Sequence, residues 1–286
     1  MAEFKINDED FAPLAGKVVV ITGCSSGIGL ATTELLLAHG ALVVGGDLNP
    51  SPVETSSFSF LKTDTTSWPN LLALFDHAKQ LHGRIDHVFS NAGISGRANY
   101  LSENFDVNGE LQEPSTLTFD IDLRGMINTS YLGLYHFRHQ EPQGGGIVCT
   151  ASASSFQQFR VCDYTTAKHG VLGWMRGIVP NIETAGLPIR VNAISPSWTK
   201  TGLVPQSVVD MFPDVTWQGP DAAARSVAIL MADESKQGQL IYSVGGRFME
   251  IEQSSLLPVA AEIVGEANED KMILRMMQMS SEIGNR

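Results

Sequence analysis

The chain has little cysteine and no residue pattern that would bind a metal ion. Its three cysteines, Cys24, Cys149 and Cys162, are odd in number and show no paired spacing. This favours a reducing compartment and predicts buried, apolar thiols. The seven histidines are scattered, and no His/Cys cluster has the spacing of a metal site, so we expect no bound metal.

Basic residues are also scarce. The 286 residues include 19 lysines and arginines against 31 aspartates and glutamates, a formal net charge of −12. This balance argues against nucleic acid or an anionic membrane as the main partner. With 43% hydrophobic and 17% charged residues the chain is globular, and its length suits one large α/β domain or two small ones.

Long apolar runs are absent as well, and no stretch is long enough to cross a bilayer. The N-terminal segment MAEFKINDEDFAPLAG carries acids where a signal peptide needs a basic region and an apolar core. We therefore expect a cytoplasmic protein.

Short β-rich runs alternate with helical patterns, which is typical of βαβ units around a parallel sheet. The fold class predicted is α/β: a single doubly wound Rossmann-like domain over residues 1–249 with a seven-stranded parallel sheet. Residues 250–286 are predicted to form a C-terminal helical extension. The predicted strands are 17–22, 41–47, 57–64, 85–93, 144–153, 189–197 and 238–246, and the predicted helices are 28–39, 67–82, 117–138, 164–185 and 221–233.

A glycine-rich loop, TGCSSGIG at residues 22–29, joins the first strand to the first helix. Glycines let a backbone turn tightly and approach a pyrophosphate, while the helix N-terminus offers free N–H groups and a positive dipole. The loop departs from the literal G-x-G-x-x-G spacing, so it fits a dinucleotide phosphate site or an ordinary glycine turn. The candidate phosphate contacts are Gly23, Ser25, Ser26, Gly27, Ile28 and Gly29.

Asp47 ends the second predicted strand, roughly twenty residues beyond the glycine loop, where a ribose-binding acid is expected. A carboxylate there accepts hydrogen bonds from ribose hydroxyls and repels a 2′-phosphate, and the adjacent Leu48 and Asn49 bring no compensating cation. We therefore favour NAD over NADP as cofactor. The alternative is a solvated turn aspartate before Pro50.

Tyr164 and Lys168, in the segment DYTTAKHG, stand four residues apart and so share one face of a helix. On its own the pair favours a plain surface contact; the alternative is a phenol held beside an ammonium that helps it lose its proton.

Taken together, these segments resemble the short-chain dehydrogenase/reductase family from about Leu14 to Gly246. The glycine loop fits the family's T-G-x-x-x-G-x-G pattern, NAG at 91–93 follows the fourth strand, and Tyr164 and Lys168 fit its Y-x-x-x-K pair. The overall pattern is similar to members from filamentous fungi, many from secondary metabolism. Besides the glycine loop and Asp47, the expected cofactor contacts are Leu48, Asp64, Thr65, Asn91, Ala92, Gly93, Tyr164, Lys168, Pro196, Thr199 and Thr201.

The resemblance implies an NAD(H)-dependent enzyme that interconverts a secondary alcohol and a ketone. Tyr164 would be the general acid/base, Lys168 would favour its phenolate and bind the nicotinamide ribose, and Ser152 would orient the substrate oxygen. Ser154 is the alternative to Ser152, because on a strand both side chains would lie on the same face. Family members are commonly dimers or tetramers, so we expect a homodimer or homotetramer.

Asp122, in FDIDLRG at residues 119–125, stands where the family has an asparagine that helps hold a water connecting the lysine to solvent. An ionised aspartate accepts hydrogen bonds but cannot donate as an amide does. Buried near Lys168, it could pair with the ammonium through water or have a raised pKa. We count Asp122 as a fourth catalytic residue with an altered proton relay; the alternative is an impaired redox step and a fold that serves another reaction.

The resemblance places a substrate lid at about residues 202–220, and a fairly large, mostly apolar substrate is expected. Trp198 either lines this pocket or packs on the core. The extension has apolar residues that could cap the pocket of the same or a neighbouring subunit, or serve plain packing: Met272, Ile273, Met276, Met277 and Met279. The expected substrate contacts are Ser154, Phe156, Gln158, Trp198, Met211, Phe212 and Trp217.

Two other function classes stay open at this point. One is a non-redox enzyme on the same fold, such as a cyclase, isomerase or dehydratase that retains the cofactor. The other is an NAD-binding regulatory protein. The combination of Ser152, Tyr164 and Lys168 disfavours the regulatory protein, whereas Asp122 keeps the non-redox enzyme open.

Overall fold

The computed structural model describes residues 3–265 and 269–284, and over this part of the chain one nine-stranded sheet forms the centre of the molecule. The strands are β1 (Glu3–Phe4), β2 (Val18–Thr22), β3 (Leu42–Asp47), β4 (Phe58–Lys62), β5 (His87–Ser90), β6 (Gly145–Thr150), β7 (Ile189–Pro196), β8 (Leu240–Val244) and β9 (Arg247–Glu250). The helices are α1 (Gly27–Ala38), α2 (Trp68–His82), α3 (Leu117–Phe119, π-helical Asp120–Gly125 and Met126–Arg138), α4 (Cys162–Thr184), α5 (Gln206–Met211), α6 (Pro220–Ala232), α7 (Leu257–Val264) and α8 (Glu269–Gly284).

The sheet has the order β1-β9-β8-β7-β6-β5-β2-β3-β4. All pairs from β4 across to β8 are parallel, so the predicted Rossmann-like class and its seven parallel strands are confirmed. Two antiparallel strands, β9 and β1, extend the β8 edge and were not predicted. Gly245 and Gly246 both have positive φ, 56° and 77°, and form the two-residue turn of the β8–β9 hairpin.

Helices cover both faces of the sheet because its central strands are apolar on both sides. On β2, Val19 and Ile21 pack into the core formed with α1 and α6, while Val20 packs into the core formed with α2, α3 and α4. Successive side chains of a strand point to opposite faces, so an uninterrupted apolar run is buried twice. The buried sheet therefore holds the ends of its strands in place, and the loops that follow the strands begin at fixed positions.

The cysteines divide into two kinds. Cys24 and Cys149 are buried as predicted, and burial raises the pKa of their thiols to about 11 and about 12. Cys162 is exposed, contrary to the prediction, because it begins α4 at the protein surface. Within residues 3–265 and 269–284, no cluster of three or more His, Cys, Asp or Glu could hold a metal, and no helix is long and apolar enough to span a membrane.

The buried carboxylate of Glu252 is one of the contacts that attach the C-terminal extension to the domain. Glu252 opens a π-helical turn and accepts two hydrogen bonds from Arg176 of α4, at 2.5 Å from Nε and 3.0 Å from the terminal nitrogen. Helix α7, which follows this turn, has no buried residue. The side chain of Met279 lies outside the described residues; the other four apolar residues expected to form the surface of the extension are exposed: Met272, Ile273, Met276 and Met277.

Candidate active site

A cavity of about 590 Å³ lies at the carboxyl ends of the parallel strands. This is where ligands bind in open α/β sheets, because the strand order reverses there and the loops diverge. The predicted site residues that line it are Gly23, Ser26, Gly27, Ile28, Asp47, Leu48, Asp64, Thr65, Asn91, Ala92, Gly93, Asp122, Ser152, Ser154, Tyr164, Lys168, Pro196, Trp198, Thr199 and Thr201.

The glycine loop brings backbone close to backbone at the start of α1. A Cβ placed on Gly29 would lie 1.9 Å from the carbonyl oxygen of Gly23, so no other residue fits there without moving the loop. Gly29 itself does not line the cavity. Ser25 is also outside the cavity wall, and its hydroxyl donates to the carbonyl of Asn49 at 2.8 Å. The loop residues that line the cavity are Gly23, Ser26, Gly27 and Ile28, and the two glycines can offer only backbone, an arrangement that suits a phosphate group.

Asp47 links the glycine loop to the end of β3. One carboxylate oxygen accepts the Ser25 N–H at 3.1 Å and the other accepts the Asn49 N–H at 3.0 Å. Each oxygen keeps a free lone pair, so the group can still accept hydroxyl donors from a ligand. Among the cavity-lining residues in the described part of the chain, Lys168 is the only lysine or arginine, and Asp47 has no basic neighbour in this wall.

The next two strand ends are held by polar side chains. The Asp64 carboxylate accepts both the N–H and the hydroxyl of Thr66, at 2.9 and 2.7 Å, which fixes the turn after β4. The Asn91 amide donates to the carbonyl of Gly23 at 3.2 Å and accepts the Thr150 hydroxyl at 3.1 Å. Asn91 thereby ties the loops after β2 and β5 to the end of β6.

Tyr164 and Lys168 lie together on the first turns of α4 and both line the cavity. The Lys168 ammonium lies 5.5 Å from the centroid of the Tyr164 ring. It donates to the Thr150 carbonyl at 3.0 Å and lies 3.1 Å from a carboxylate oxygen of Asp122. Burial acts to lower the pKa of Lys168, but the Asp122 carboxylate and the Tyr164 phenol outweigh it, so the pKa is raised and the lysine stays charged.

Asp122 is buried within the π-helical segment of α3. Its second oxygen accepts the N–H of Ile94 at 2.8 Å, which ties α3 to the loop after β5. The extra residue in a π turn shifts side chains around the helix, and such turns are frequent at functional sites. Asp122 contacts Lys168 directly, as an ion pair whose two side chains are 0% and 4% exposed.

Ser152 and Ser154 lie on a turn rather than on a strand, so the expectation that they share a strand face does not apply. Strand β6 ends at Thr150, and residues Ala153–Ser155 form a 3₁₀ turn that Ser152 caps. The Ser152 hydroxyl accepts the N–H of Ser154 at 3.2 Å, which leaves its own proton free to be donated. The Ser154 hydroxyl is buried and has no hydrogen-bond partner among the residues that the structure describes.

The loop after β7 provides the opposite wall of the cavity. Pro196 ends β7, and the Thr199 hydroxyl donates to the Ser197 carbonyl at 2.8 Å while accepting from the Gln218 amide at 3.1 Å. The backbone carbonyl of Gln218 also accepts the Lys200 N–H at 2.9 Å. The two ends of the predicted lid are thus joined at their base.

An aromatic cluster lies at the mouth of the cavity. The rings of Phe159 and Trp198 are 5.9 Å apart, those of Phe159 and Tyr164 are 6.5 Å apart, and those of Trp198 and Trp217 are 5.6 Å apart. Trp198 lines the cavity and is partly exposed. Trp217 packs against the Trp198 ring, and its indole N–H donates to the carbonyl of Phe212.

Five of the predicted substrate contacts do not line the cavity: Phe156, Gln158, Met211, Phe212 and Trp217. Phe156 instead packs edge-on against Tyr242 at 5.8 Å, and Met211 and Phe212 are exposed on the lid. Gln157 and Phe159 from the same segment as Phe156, and Val204 from the predicted lid, do line the cavity. The lining residues that were not expected from the sequence include Ile94, Val161 and Leu203.

Comparison with known proteins agrees with this geometry. The profile of the family described as short chain dehydrogenase matches residues 17–211, which is well over half of the chain. The chain belongs to the short-chain dehydrogenase/reductase family. It is 47% identical over 272 residues to the short-chain dehydrogenase/reductase ascJ of Acremonium egyptiacum, covering 94% of this chain and 92% of that protein.

A second fungal relative and a solved structure also match this chain. The short-chain dehydrogenase/reductase prx4 of Penicillium roqueforti is 31% identical over 248 residues, covering 86% of this chain and 73% of that protein. The fold is also that of the 3-ketoacyl-(acyl-carrier-protein) reductase of Brucella melitensis in complex with NADH, with a TM-score of 0.70, 23% identity and coverage of 82% and 98%. The resemblance to fungal family members drawn from the sequence is thereby confirmed.

Proposed function

We propose that the protein is an NAD(H)-dependent oxidoreductase that interconverts a secondary alcohol and a ketone. The observation that carries the proposal is the grouping of Ser152, Tyr164 and Lys168 around one cavity, with the ammonium 5.5 Å from the phenol ring. Membership of a family of dehydrogenases and reductases supports it. A nicotinamide cofactor fits the residues present, because Gly23 and Gly27 line the cavity with backbone alone and the Asp47 carboxylate can accept ribose hydroxyls.

In the proposed oxidation, Tyr164 removes the hydroxyl proton of the alcohol. Lys168 favours the phenolate that does so, because a cation beside a phenol stabilises its ionised form. Ser152 donates a hydrogen bond to the same substrate oxygen, and its hydroxyl is oriented for this by the N–H of Ser154. The bound cofactor supplies the acceptor for the hydride that leaves the carbinol carbon. In the reverse direction Tyr164 returns the proton to the ketone oxygen.

We favour NAD over NADP because of Asp47. Its carboxylate faces the cavity end formed by the glycine loop and can accept ribose hydroxyls. A 2′-phosphate placed there would meet a negative charge without a compensating arginine or lysine among the lining residues that the structure describes.

The substrate proposed is fairly large and mostly apolar. Its side of the cavity is lined by Ile94, Phe159, Val161, Trp198 and Leu203, and Gln157 adds one polar group that could fix its orientation. The similarity to fungal proteins supports a secondary metabolite as the substrate. We further expect a cytoplasmic homodimer or homotetramer, which light scattering after size-exclusion chromatography would test.

A non-redox reaction is the second candidate, favoured by the Asp122–Lys168 ion pair. The carboxylate offsets the positive charge that would otherwise assist Tyr164, and it stands where family members have a neutral amide. Under this alternative the cofactor is retained without turnover.

A screen of secondary alcohols and ketones, followed by NADH absorbance, tests the proposal. The wild type should turn over at least one apolar substrate, and Tyr164→Phe should lower kcat by about 10²-fold or more, since general acid–base catalysis contributes that much. Binding of NADH measured by its fluorescence serves as the control for an intact site. If NADH binds but no substrate gives Tyr164-dependent turnover, the dehydrogenase assignment fails and the non-redox candidate takes its place.

A further inference from the structure

A second buried carboxylate lies directly beside the catalytic tyrosine. Asp163 is 0% exposed and accepts four hydrogen bonds. One oxygen receives the N–H groups of Arg97 and Ala98, at 2.7 and 3.0 Å, and the hydroxyl of Thr118 at 2.7 Å. The other oxygen receives the N–H of Tyr164 at 2.8 Å.

These four bonds join three separate parts of the chain. Arg97 and Ala98 belong to the loop that follows β5, Thr118 belongs to the first turn of α3, and Tyr164 belongs to the first turn of α4. The partners lie 66 and 45 residues from Asp163 in the sequence for Arg97 and Thr118. A single side chain therefore sets the spacing between the loop and two helices.

The loop packs on Asp163 with no space between them. A Cβ placed on Gly96 would lie 2.2 Å from a methyl group of Val161 and 2.5 Å from the Asp163 carboxylate. Contacts this close leave room only for glycine. Ile94, at the other end of the same loop, donates its N–H to Asp122. Residues 94–98 are thus held at both ends by buried carboxylates, one from each site helix.

The charge on Asp163 suits this role. Burial opposes its ionisation, but the N–H and hydroxyl donors around it outweigh that effect and lower the pKa of the carboxyl below its usual value. The group is therefore ionised at neutral pH, and its place in the first turn of α4 is favourable to the helix dipole.

We propose that Asp163 is a positioning residue for the reaction of Tyr164, and this inference rests on the proposed function. Its bond to the Tyr164 N–H fixes the backbone from which the phenol projects. Its bonds to Arg97 and Ala98 hold the loop that carries Ile94, Ser95 and Gly96 as a fixed wall of the substrate cavity. Neither role requires Asp163 to touch the substrate, and Asp163 does not line the cavity.

Two variants separate these effects. In Asp163→Asn the amide keeps one acceptor oxygen, and the three donors from Arg97, Ala98 and Thr118 hold that oxygen on their side. The NH₂ group therefore faces the Tyr164 N–H, and the hydrogen bond to Tyr164 is lost. In Thr118→Val one donor to the same carboxylate is lost while the Tyr164 bond stays, which makes it the matched control. We expect Asp163→Asn to lower kcat by about 10-fold or more, as small misplacements of a reacting group do. Thr118→Val should leave kcat within about 3-fold and raise KM.

Gly96→Ala provides a second route, because its methyl group pushes on both Val161 and the Asp163 carboxylate from the loop side. It should reproduce the fall in kcat. Wild-type affinity for NADH and an unchanged circular dichroism spectrum show that each variant is folded. Equal kcat values for Asp163→Asn and Thr118→Val would overturn the proposal, since a purely structural anchor would affect both alike.

Hydrogen–deuterium exchange tests the contacts without any substrate. Peptides that contain residues 94–98 and 162–168 should exchange faster in Asp163→Asn than in the wild type, by about 10-fold or more for a lost buried hydrogen bond. Wild-type exchange in both peptides would overturn the proposal. If the exchange changes as expected while the screen finds no redox substrate, the proposed function is at fault and the positioning contacts stand.

Discussion

Lys168 is held by three groups of different chemistry: the Thr150 carbonyl, the Asp122 carboxylate and the Tyr164 ring. A buried ammonium is unfavourable unless it is paired, and here a second buried charge provides the pair. The exchange of a family asparagine for Asp122 therefore does more than change a hydrogen bond. It places a negative charge next to the cation that assists Tyr164 in the proposed mechanism, where this charge would oppose formation of the phenolate.

Replacing Asp122 by asparagine should move the pH profile of alcohol oxidation. Without the carboxylate, more of the Lys168 charge acts on Tyr164, so the acid limb of kcat/KM should move to lower pH. The pKa of Lys168, raised by Asp122, should fall, so the alkaline limb should move in the same direction. The full profile of kcat/KM against pH for Asp122→Asn and wild type checks this.

A shift of about one unit corresponds to about 1.4 kcal/mol of interaction between charged groups. Affinity for NADH is the control for folding of the variant. A pH profile identical to that of the wild type would remove any special role of Asp122 in the proton transfer.

Asp47→Asn should weaken the discrimination between the two nicotinamide cofactors. The amide oxygen retains one backbone hydrogen bond to the loop, but the charge that repels a 2′-phosphate is gone. We expect the ratio of kcat/KM for NADP to that for NAD to rise by about 10-fold or more, equivalent to about 1.4 kcal/mol. Asn49→Ala, a change beside the same turn that leaves the carboxylate in place, should keep the wild-type ratio. An unchanged ratio in Asp47→Asn would mean that cofactor choice is decided elsewhere.

At the scale of elements, helix α4 contacts both the cavity and the C-terminal extension. Its first turns carry Tyr164 and Lys168, which line the cavity, and Asp163, which lies behind them, while Arg176, further along, bonds to Glu252 of the C-terminal extension. The periodicity of this helix is local, so the neighbouring positions of Tyr164 and Lys168 follow from their spacing alone. The role of Asp163 does not, because its partners come from distant parts of the chain.

The residues that line the substrate side of the cavity were less predictable, because their positions also depend on contacts with distant parts of the chain. The turn at Ala153–Ser155 is stabilised by the Ser152 side chain and replaces the strand that the run of small residues predicted. Lid residues such as Met211 and Phe212 have an apolar composition typical of a pocket, yet which of them faces inward depends on tertiary contacts like the Trp198–Trp217 pair. The edge strands β1 and β9 are too short to show a period.

The anchor of the extension gives a prediction at this scale. Glu252→Gln leaves Arg176 without its partner charge and should lower the free energy of unfolding. Buried pairs cost about 3–5 kcal/mol when broken, but Arg176 is 42% exposed, so we expect about 1–2 kcal/mol. Urea denaturation measures the change, and Arg176→Met combined with Glu252→Gln should recover part of it. Equal stability of wild type and Glu252→Gln would show that the pair does not hold the extension.

At the scale of the whole molecule, one cavity connects the residues proposed to bind the cofactor to the aromatic cluster around Trp198. It extends from Asp47 at the end of β3 to Trp198 after β7, with Tyr164 and Lys168 between the two groups of loops. The doubly wound sheet produces this arrangement, since parallel strands place all their following loops on one edge. The overall class, and the cavity position of most residues proposed to bind the cofactor, were therefore predictable from the alternation of elements and the glycine loop.

The most direct test of the proposed redox chemistry follows an isotope from substrate to cofactor. An active alcohol from the screen, deuterated at its carbinol carbon, is incubated with the enzyme and NAD, and the cofactor is analysed by mass spectrometry. The proposal predicts that one deuterium appears in NADH at the rate of ketone formation, and that Tyr164→Phe slows both by about 10²-fold or more. Product formation with no deuterium in the cofactor would contradict it and would assign the site to a non-redox reaction.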